Sequence, residues 1–262
     1  MKVVLFCGGM GTRMKEYSET IPKPMVDIGY RPIIWHLMRY YAHYGHKEFI
    51  LCLGYRGDVI KNYFLNYNEC LSNDFVLSAG GKVQVYNSDI EDWKISFIDT
   101  GLNSNIGQRL LKVQRYLGDD EVFMANYSDA LTNLCLPDYL EHFYQHDRVA
   151  SFLSVRPSQS FHIISEGENG QVAKIIPVEE ANLWINGGFF IFRRTIFDYI
   201  RPGEELVLEP FQRLIEENQL ITYRNPGFWA CMDTFKEKKM FDDMHARNEM
   251  AWAVWDTKQR AR

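Results

Sequence analysis

Val3-Val4-Leu5-Phe6-Cys7-Gly8-Gly9-Met10-Gly11-Thr12-Arg13 opens the chain with an apolar run that gives way to a glycine-rich turn. A short apolar run of this kind reads as a strand buried on both faces, as in a parallel sheet. Glycines let the backbone bend tightly and bring N–H groups up to an anion with no side chain in the way. In an α/β sheet such a turn lies at the carboxyl end of the first strand, where ligands bind. A phosphate cradle is therefore the functional reading, and a structural strand-to-helix turn is the plainer one for the glycines alone. The dinucleotide fingerprint is excluded because Met14 stands where its third glycine belongs, and the P-loop because no Gly-Lys-Ser/Thr follows. Arg13, and Lys23 within Pro22-Lys23-Pro24-Met25, favour the phosphate: two cations beside one glycine turn suit a polyphosphate whose charge grows during reaction.

The alternation continues outward from this turn. Runs at 2–7, 48–53, 93–98, 121–126 and 149–155 are expected as strands, and the periodic segments 33–44, 58–65, 107–117 and 137–146 as helices. Strand and helix in alternation predict an α/β fold, a Rossmann-like, doubly wound, mostly parallel sheet. From about residue 158 the rhythm changes to turns around short strands at 172–176 and 188–192, read as a small β-rich lobe. Helices at 209–217 and 234–250 follow, then a tail with Trp252 and Trp255 expected to pack on a neighbouring element or another subunit. The organisation expected is one domain over 1–262: a nucleotide-binding core (1–157), an acceptor-side lobe (158–208) and a helical C-terminal segment (209–262).

Composition narrows the function. The 262 residues carry 34 acidic against 29 basic side chains, a net charge of −5, which disfavours broad nucleic-acid binding. No apolar stretch approaches the roughly 18 residues a membrane span needs, and none resembles a secretory leader. The five cysteines are scattered with no Cys-x-x-Cys pair, which argues against a disulfide framework or a structural zinc site and suits a reducing cytoplasm.

Two aspartates complete the chemistry. Asp129 ends the apolar run Glu121-Val-Phe-Met-Ala-Asn-Tyr-Ser-Asp129, and Asp233 follows Gly227-Phe-Trp-Ala-Cys-Met232 just before a helical segment. A hard cation such as Mg²⁺ takes one or two carboxylates and completes its shell with phosphate oxygens and water. Read singly, Asp129 also suits a turn cap and Asp233 a helix N-cap.

Taken together, Gly8-Gly-Met-Gly-Thr-Arg13, Pro22-Lys-Pro-Met25, Pro32-Ile-Ile-Trp-His36, Gly54-Tyr55, Asp99-Thr-Gly101, Gly107-Gln-Arg109, Tyr127-Ser-Asp129, Ile185-Asn-Gly-Gly-Phe-Phe190 and Gly227-Phe-Trp229 with Met232-Asp-Thr234 resemble the sugar-1-phosphate nucleotidyltransferases. The likeness is closest to those that act on CTP and glucose 1-phosphate. It implies a nucleoside triphosphate, CTP by preference, Mg²⁺, and a phosphorylated small-molecule acceptor that displaces pyrophosphate. By position in these motifs, Phe6, Gly8, Gly9, Gly11, Thr12 and Ser128 would border the nucleotide. Arg13 would neutralise the departing phosphates, Lys23 would reach the α-phosphate, and Asp129 and Asp233 would hold the metal. Thr100, Gly101, Gly107 and Arg109 would line the base and triphosphate, and Tyr127, Asn186 and Gly187 the acceptor. Family members commonly oligomerise, so a homo-oligomer is expected.

The acceptor side departs from the family. Its Glu-Lys-Pro motif, which grips the sugar phosphate, corresponds here to Lys174-Ile175-Ile176-Pro177, and its Arg-Phe-Gly stretch to Ser158-Gln-Ser-Phe161-His162. Losing a cation there removes an ionic hydrogen bond of roughly 1.5–3 kcal/mol, unless Lys174, Arg156 or another cation supplies it; His162 is a further candidate contact. Three functions follow: a transferase with an acceptor other than plain glucose 1-phosphate, one that keeps glucose 1-phosphate through a substitute cation, and a non-catalytic nucleotide-binding subunit. A dehydrogenase fails on the missing glycine and on Gly54-Tyr55, where the ribose-binding acid of that fold belongs.

Overall fold

The β-branched and aromatic runs become the strands of one central sheet. The structure is a computed structural model that describes residues 1–9, 21–157, 161–178 and 180–256. In chain order its elements begin β1 (Lys2–Phe6), a 3₁₀ turn at Lys23–Met25, β2 (Asp27–Ile28), β3 (Arg31–Pro32), α1 (Ile33–His43), β4 (Glu48–Leu53) and α2 (Gly57–Leu65). Next come β5 (Phe75–Ser78), β6 (Lys82–Val85), β7 (Lys94–Asp99), α3 (Ile106–Val113), β8 (Val122–Tyr127), β9 (Ala130–Thr132), α4 (Leu136–His146) and β10 (Ala150–Val155). The chain continues through β11 (His162–Glu166), β12 (Val172–Pro177), β13 (Ile185–Asn186), β14 (Phe190–Arg193), α5 (Glu209–Glu216), β15 (Leu220–Arg224), β16 (Trp229–Cys231) and α6 (Phe235–Ala246).

The main sheet runs β13-β10-β14-β8-β1-β4-β7, with β15 on the outer side of β10. The pairs β1–β4, β1–β8, β4–β7 and β10–β15 are parallel, whereas β14 runs antiparallel between β8 and β10. Side chains alternate across β1 as a strand requires. Val3 and Leu5 join the core that contains α1, α4 and α6, while Val4 and Phe6 join the opposite core under α3 and α5. Burial on both faces is what a doubly wound sheet demands of its strands.

The expected strands and helices are present with bounds shifted by one or two residues, except that 107–117 becomes α3 followed by a 3₁₀ turn and the last helix is shorter than expected. The stretch 158–208 divides. Hairpin β11–β12 stands apart from the main sheet, but the strand expected at 188–192 is β14, inside it. Its Phe190-Ile191-Phe192 run is wholly buried because it sits between two other strands. Helix 234–250 ends early at Ala246, and the tail folds back so that Trp252 is 1% exposed against Phe228, Phe241 and His36. All five cysteines are free, and among the described residues no helix is long and apolar enough to cross a membrane.

Candidate active site

The carboxyl ends of β1 and β8 lie side by side, since Phe6 pairs with Tyr127 in the sheet. Each strand therefore delivers its next residues to one place: Cys7-Gly8-Gly9 from β1 and Ser128-Asp129 from β8. Ser128 closes the gap by donating its hydroxyl to the Phe6 carbonyl at 2.8 Å. A cavity of about 290 Å³ opens there, lined by Phe6, Cys7, Gly9, Lys23, Pro24, Ile106, Tyr127, Ser128, Asp129 and Asp233.

Asp233 comes from far along the chain through a small ladder. β9 leaves Asp129 and pairs antiparallel with β16, Ala130 opposite Cys231, and the Met232 amide donates to the Asp129 carbonyl at 2.8 Å. The two carboxylates meet on one ammonium: Lys23 Nζ lies 2.5 Å from Asp129 Oδ2 and is also hydrogen-bonded to Asp233. Pro22 precedes the turn that carries Lys23 and Pro24 lies within it, which fixes the backbone of that lysine's neighbours. Burial pulls the Lys23 pKa down, but the two carboxylates outweigh it and the net shift is upward. Two hard oxygen donors converging on a single cation suit a divalent metal in the same seat. Among the described residues no set of three or more His, Cys, Asp or Glu gathers to hold a metal, so the remaining ligands would be phosphate oxygens and water.

The environment of the thiols nearby disfavours the thiolate. Burial pushes Cys7 up to about 12. Burial and then the Asp233 and Asp129 charges do the same for Cys231, whose thiol faces Asp233 Oδ2 at 3.5 Å.

Arg109 explains the shape of the glycine turn. It is 3% exposed and donates to the Gly8 carbonyl at 2.9 Å, the Leu53 carbonyl at 3.1 Å and the Thr100 hydroxyl at 2.6 Å. A β-carbon at Gly8 would overlap that guanidinium, so the close approach requires glycine. Thr100 is itself fully buried and donates to the Leu53 carbonyl at 2.7 Å, while Gly101 turns the chain beside it with φ of 90°. Gly107 packs its α-carbon against the Glu204 carbonyl. Arg109 and Thr100 thus face the main chain behind the turn, and neither lines the cavity.

On the other flank the Tyr127 ring packs against Gly188, and burial, then the charges of Glu205 and Asp129, raise the phenol to about 12. Asn186 Oδ1 accepts from the Gly188 amide at 2.9 Å, and the Gly187 carbonyl accepts from Trp229 Nε1 at 2.9 Å. Gly188 and Phe189 both have positive φ, 76° and 49°. This unfavourable pairing is held by the buried Asn126 Oδ1, which accepts from the Phe189 amide at 2.9 Å.

Lys23, Asp129, Asp233, Phe6, Gly9, Ser128 and Tyr127 are therefore brought together, with Gly8, Asn186 and Gly187 adjoining. His162 and Lys174 are exposed on hairpin β11–β12 and do not line the cavity. Gly11, Thr12 and Arg13 lie outside the described residues. Ile106 and Pro24 line the cavity without having been singled out, although each sits inside or beside a motif that was.

The family model described as nucleotidyl transferase matches residues 2–242. A probable glucose-1-phosphate cytidylyltransferase of Bacillus subtilis is 36% identical over 97% of this chain and 100% of its own length. The glucose-1-phosphate cytidylyltransferase of Salmonella typhi is 34% identical over 98% of this chain and 100% of its own length. Among solved structures, a UDP-glucose pyrophosphorylase complexed with UDP-glucose superposes with a TM-score of 0.69 at 14% identity, covering 94% of this chain and 98% of that one; this likeness bears on the fold.

Proposed function

The chain belongs to the nucleotidyl transferase family, and on that premise we propose that it transfers a cytidylyl group from CTP to a phosphorylated sugar and releases pyrophosphate. The enzyme class is a pyrophosphorylase-type nucleotidyltransferase; CTP, Mg²⁺ and the acceptor are our assignment. The observation that carries it is the convergence of Asp129, Asp233 and Lys23 in front of the glycine turn.

In this reading an acceptor phosphate oxygen forms a bond to the α-phosphorus while the bond to the bridging oxygen breaks, and the electron pair leaves with pyrophosphate. Such a transfer depends on alignment and charge neutralisation rather than covalent help. Mg²⁺ on Asp129 and Asp233 would supply Lewis-acid neutralisation. Lys23 would meet the α-phosphate, and by the resemblance Arg13 would neutralise the departing phosphates and the glycine-rich segment would border the nucleotide. Arg109 and Thr100 keep that segment in shape. Tyr127, packed against Gly188, and the adjoining Asn186 and Gly187 would present polar atoms to the acceptor.

The acceptor we favour differs from plain glucose 1-phosphate, because Ile175 and Ile176 stand in β12 where the resemblance expects Glu and Lys, and Ile175 is 58% exposed. Glucose 1-phosphate itself is the second reading, supported by the full-length relatives named for it. We also take the enzyme to be a cytoplasmic homo-oligomer. Free cysteines support the compartment, and the apolar face of hairpin β5–β6, where Leu77 is 66% and Val83 51% exposed, supports the assembly. Sedimentation of a monomer at micromolar concentration would refute that assembly.

Phosphorus NMR of enzyme, CTP, Mg²⁺ and a panel of sugar 1-phosphates tests the reaction. Paired pyrophosphate-diester resonances should grow together with free pyrophosphate. Their absence with every acceptor would overturn the proposal.

A further inference from the structure

Two arginines and a tryptophan gather at the same sheet edge, outside the cavity. The Arg156 guanidinium lies 5.3 Å and the Arg224 guanidinium 5.0 Å from the centroid of the Trp184 ring. Both arginines are exposed at their residues while Trp184 is half-buried. Trp184 Nε1 is covered from solvent and has no hydrogen-bond partner among the described residues, and Arg224 makes no ion pair among them.

The sheet register sets this place. In β10, Ser154 pairs with Asn186 on one side and with Arg224 on the other, and Val155 pairs with Ile185. The next step along each chain brings Arg156 and Trp184 to the carboxyl end of β10, the end at which β8 releases Asp129. Trp184 is two residues from Asn186, about 7 Å along an extended chain; Asn186 Oδ1 accepts from the Gly188 amide, and Gly188 lies against the ring of Tyr127, which lines the cavity.

Guanidinium groups and an indole N–H are donors only. The Arg224 charge is met among the described residues by the ring's π-face, which offsets it only in part. Such a cluster is complementary to an oxyanion, which binds guanidinium in charge-assisted pairs. The cavity needs one on this flank: Lys23 is the one cation lining it among the described residues, and that ammonium is already held by Asp129 and Asp233. An anionic acceptor approaching two carboxylates requires positive charge on its own side.

We propose that Arg156, Arg224 and Trp184 form the oxyanion contact of the acceptor site, taking either the acceptor's reactive phosphate or a second anionic group on the same sugar. This rests on the nucleotidyltransferase reading and assigns specificity within it.

The test is calorimetric binding in the presence of Mg²⁺ and a CTP analogue whose α,β-bridging oxygen is replaced by methylene, so that no turnover occurs. The probes are glucose, α-D-glucose 1-phosphate, α-D-glucose 1,6-bisphosphate and α-D-glucuronic acid 1-phosphate. The wild type is expected to bind at least one anionic sugar more tightly than glucose. Arg156→Ala and Arg224→Ala should each weaken that binding roughly tenfold or more, Arg156→Lys and Arg224→Lys should fall between these and the wild type, and Trp184→Phe, which keeps a ring, should lose less. Affinity for the CTP analogue should not change. Weakening that includes glucose 1-phosphate assigns the contact to the reactive phosphate, and weakening confined to the other two assigns it to a second anion. Equal binding of all three by wild type and variants, or no preference over glucose, overturns the inference and leaves the nucleotide site standing. A wild type that does not bind the CTP analogue overturns the assignment of CTP on which this reading of the acceptor site rests.

Discussion

Lys23 Nζ lies 2.5 Å from Asp129 Oδ2 across the pocket, although three strands of the main sheet, β4, β7 and β8, separate the two residues in the chain. The same ammonium holds Asp233, so the lysine occupies the place where two carboxylates would receive a divalent cation. Because the carboxylates raise the Lys23 pKa above its ordinary 10.5, the ammonium persists throughout the neutral range. Its contribution to stability is present below that value and is lost only as pH rises through the raised one.

Lysine and metal therefore compete for one pair of acids. Lys23→Met should tighten Mn²⁺ binding to the nucleotide-free enzyme, because it leaves two facing carboxylates without their counter-charge. Turnover should fall by roughly 10²-fold or more as the charge on the α-phosphate goes unmet. Calorimetric titration of Mn²⁺ with and without the substitution checks the first part, and equal affinities would contradict it.

Asp129→Asn and Asp233→Asn should each reduce turnover by on the order of 10²-fold or more while the fold survives. Their side chains are 22% and 31% exposed, so neither carboxylate carries packing that the core depends on. Pyrophosphate release beside a thermal melt separates the two effects; a full rate with either variant would remove that residue from the metal site.

Arg109 predicts the opposite balance. Arg109→Met would strip donors from the buried Gly8 and Leu53 carbonyls and the Thr100 hydroxyl, a loss of about 2–4 kcal/mol on the scale of a broken buried charged network. Denaturant unfolding should show it, with weakened nucleotide binding following from the loosened turn. Unchanged stability would mean that the turn is held by something else.

His36 gives a pH signature. Burial first, against a raising bond to the Ile28 carbonyl, lowers its pKa to about 4 from 6.5. Its Nε2 donates to Ile28 at 3.1 Å while Nδ1 accepts from Trp252 Nε1 at 3.3 Å, which only the neutral ring can do. The unfolded chain binds the proton more readily, so this stability is complete above about pH 6.5 and is lost as pH falls towards 4; between pH 7 and 5 the loss is about 2 kcal/mol. His36→Gln should flatten that part of the denaturation profile, and an identical slope would contradict the assignment. His46, also lowered to about 4 by burial, contributes a parallel slope that the variant retains.

The sheet was legible because its strands alternate with helices and the first strand ends in glycines, a pattern that local chemistry writes plainly. The site was legible in part. Lys23 and Asp129 declare themselves by prolines and by a strand end, but Asp233 reaches them through β9 and β16, three residues each, too short to carry a period. Arg109 shows how a motif conceals a role: an arginine after a glycine suggests a ligand contact, whereas its surroundings direct it to backbone carbonyls. β14 was assigned to the outer lobe because a run buried on both faces has no alternation to say which sheet it joins. Hairpin β5–β6 went unseen because Phe75, Leu77, Val83 and Val85 share a face without covering a core. Arg156, Arg224 and Trp184 come from three separate strand ends and meet only through register.

The central claim is most directly tested by pyrophosphate release from CTP, UTP, dTTP, GTP and ATP, with Mg²⁺, each against glucose 1-phosphate and a panel of other phosphorylated sugars. The expected result is release that requires Mg²⁺ and a phosphorylated acceptor and is fastest with CTP. No release from CTP with any acceptor, or a faster reaction with a purine nucleotide, would contradict the account.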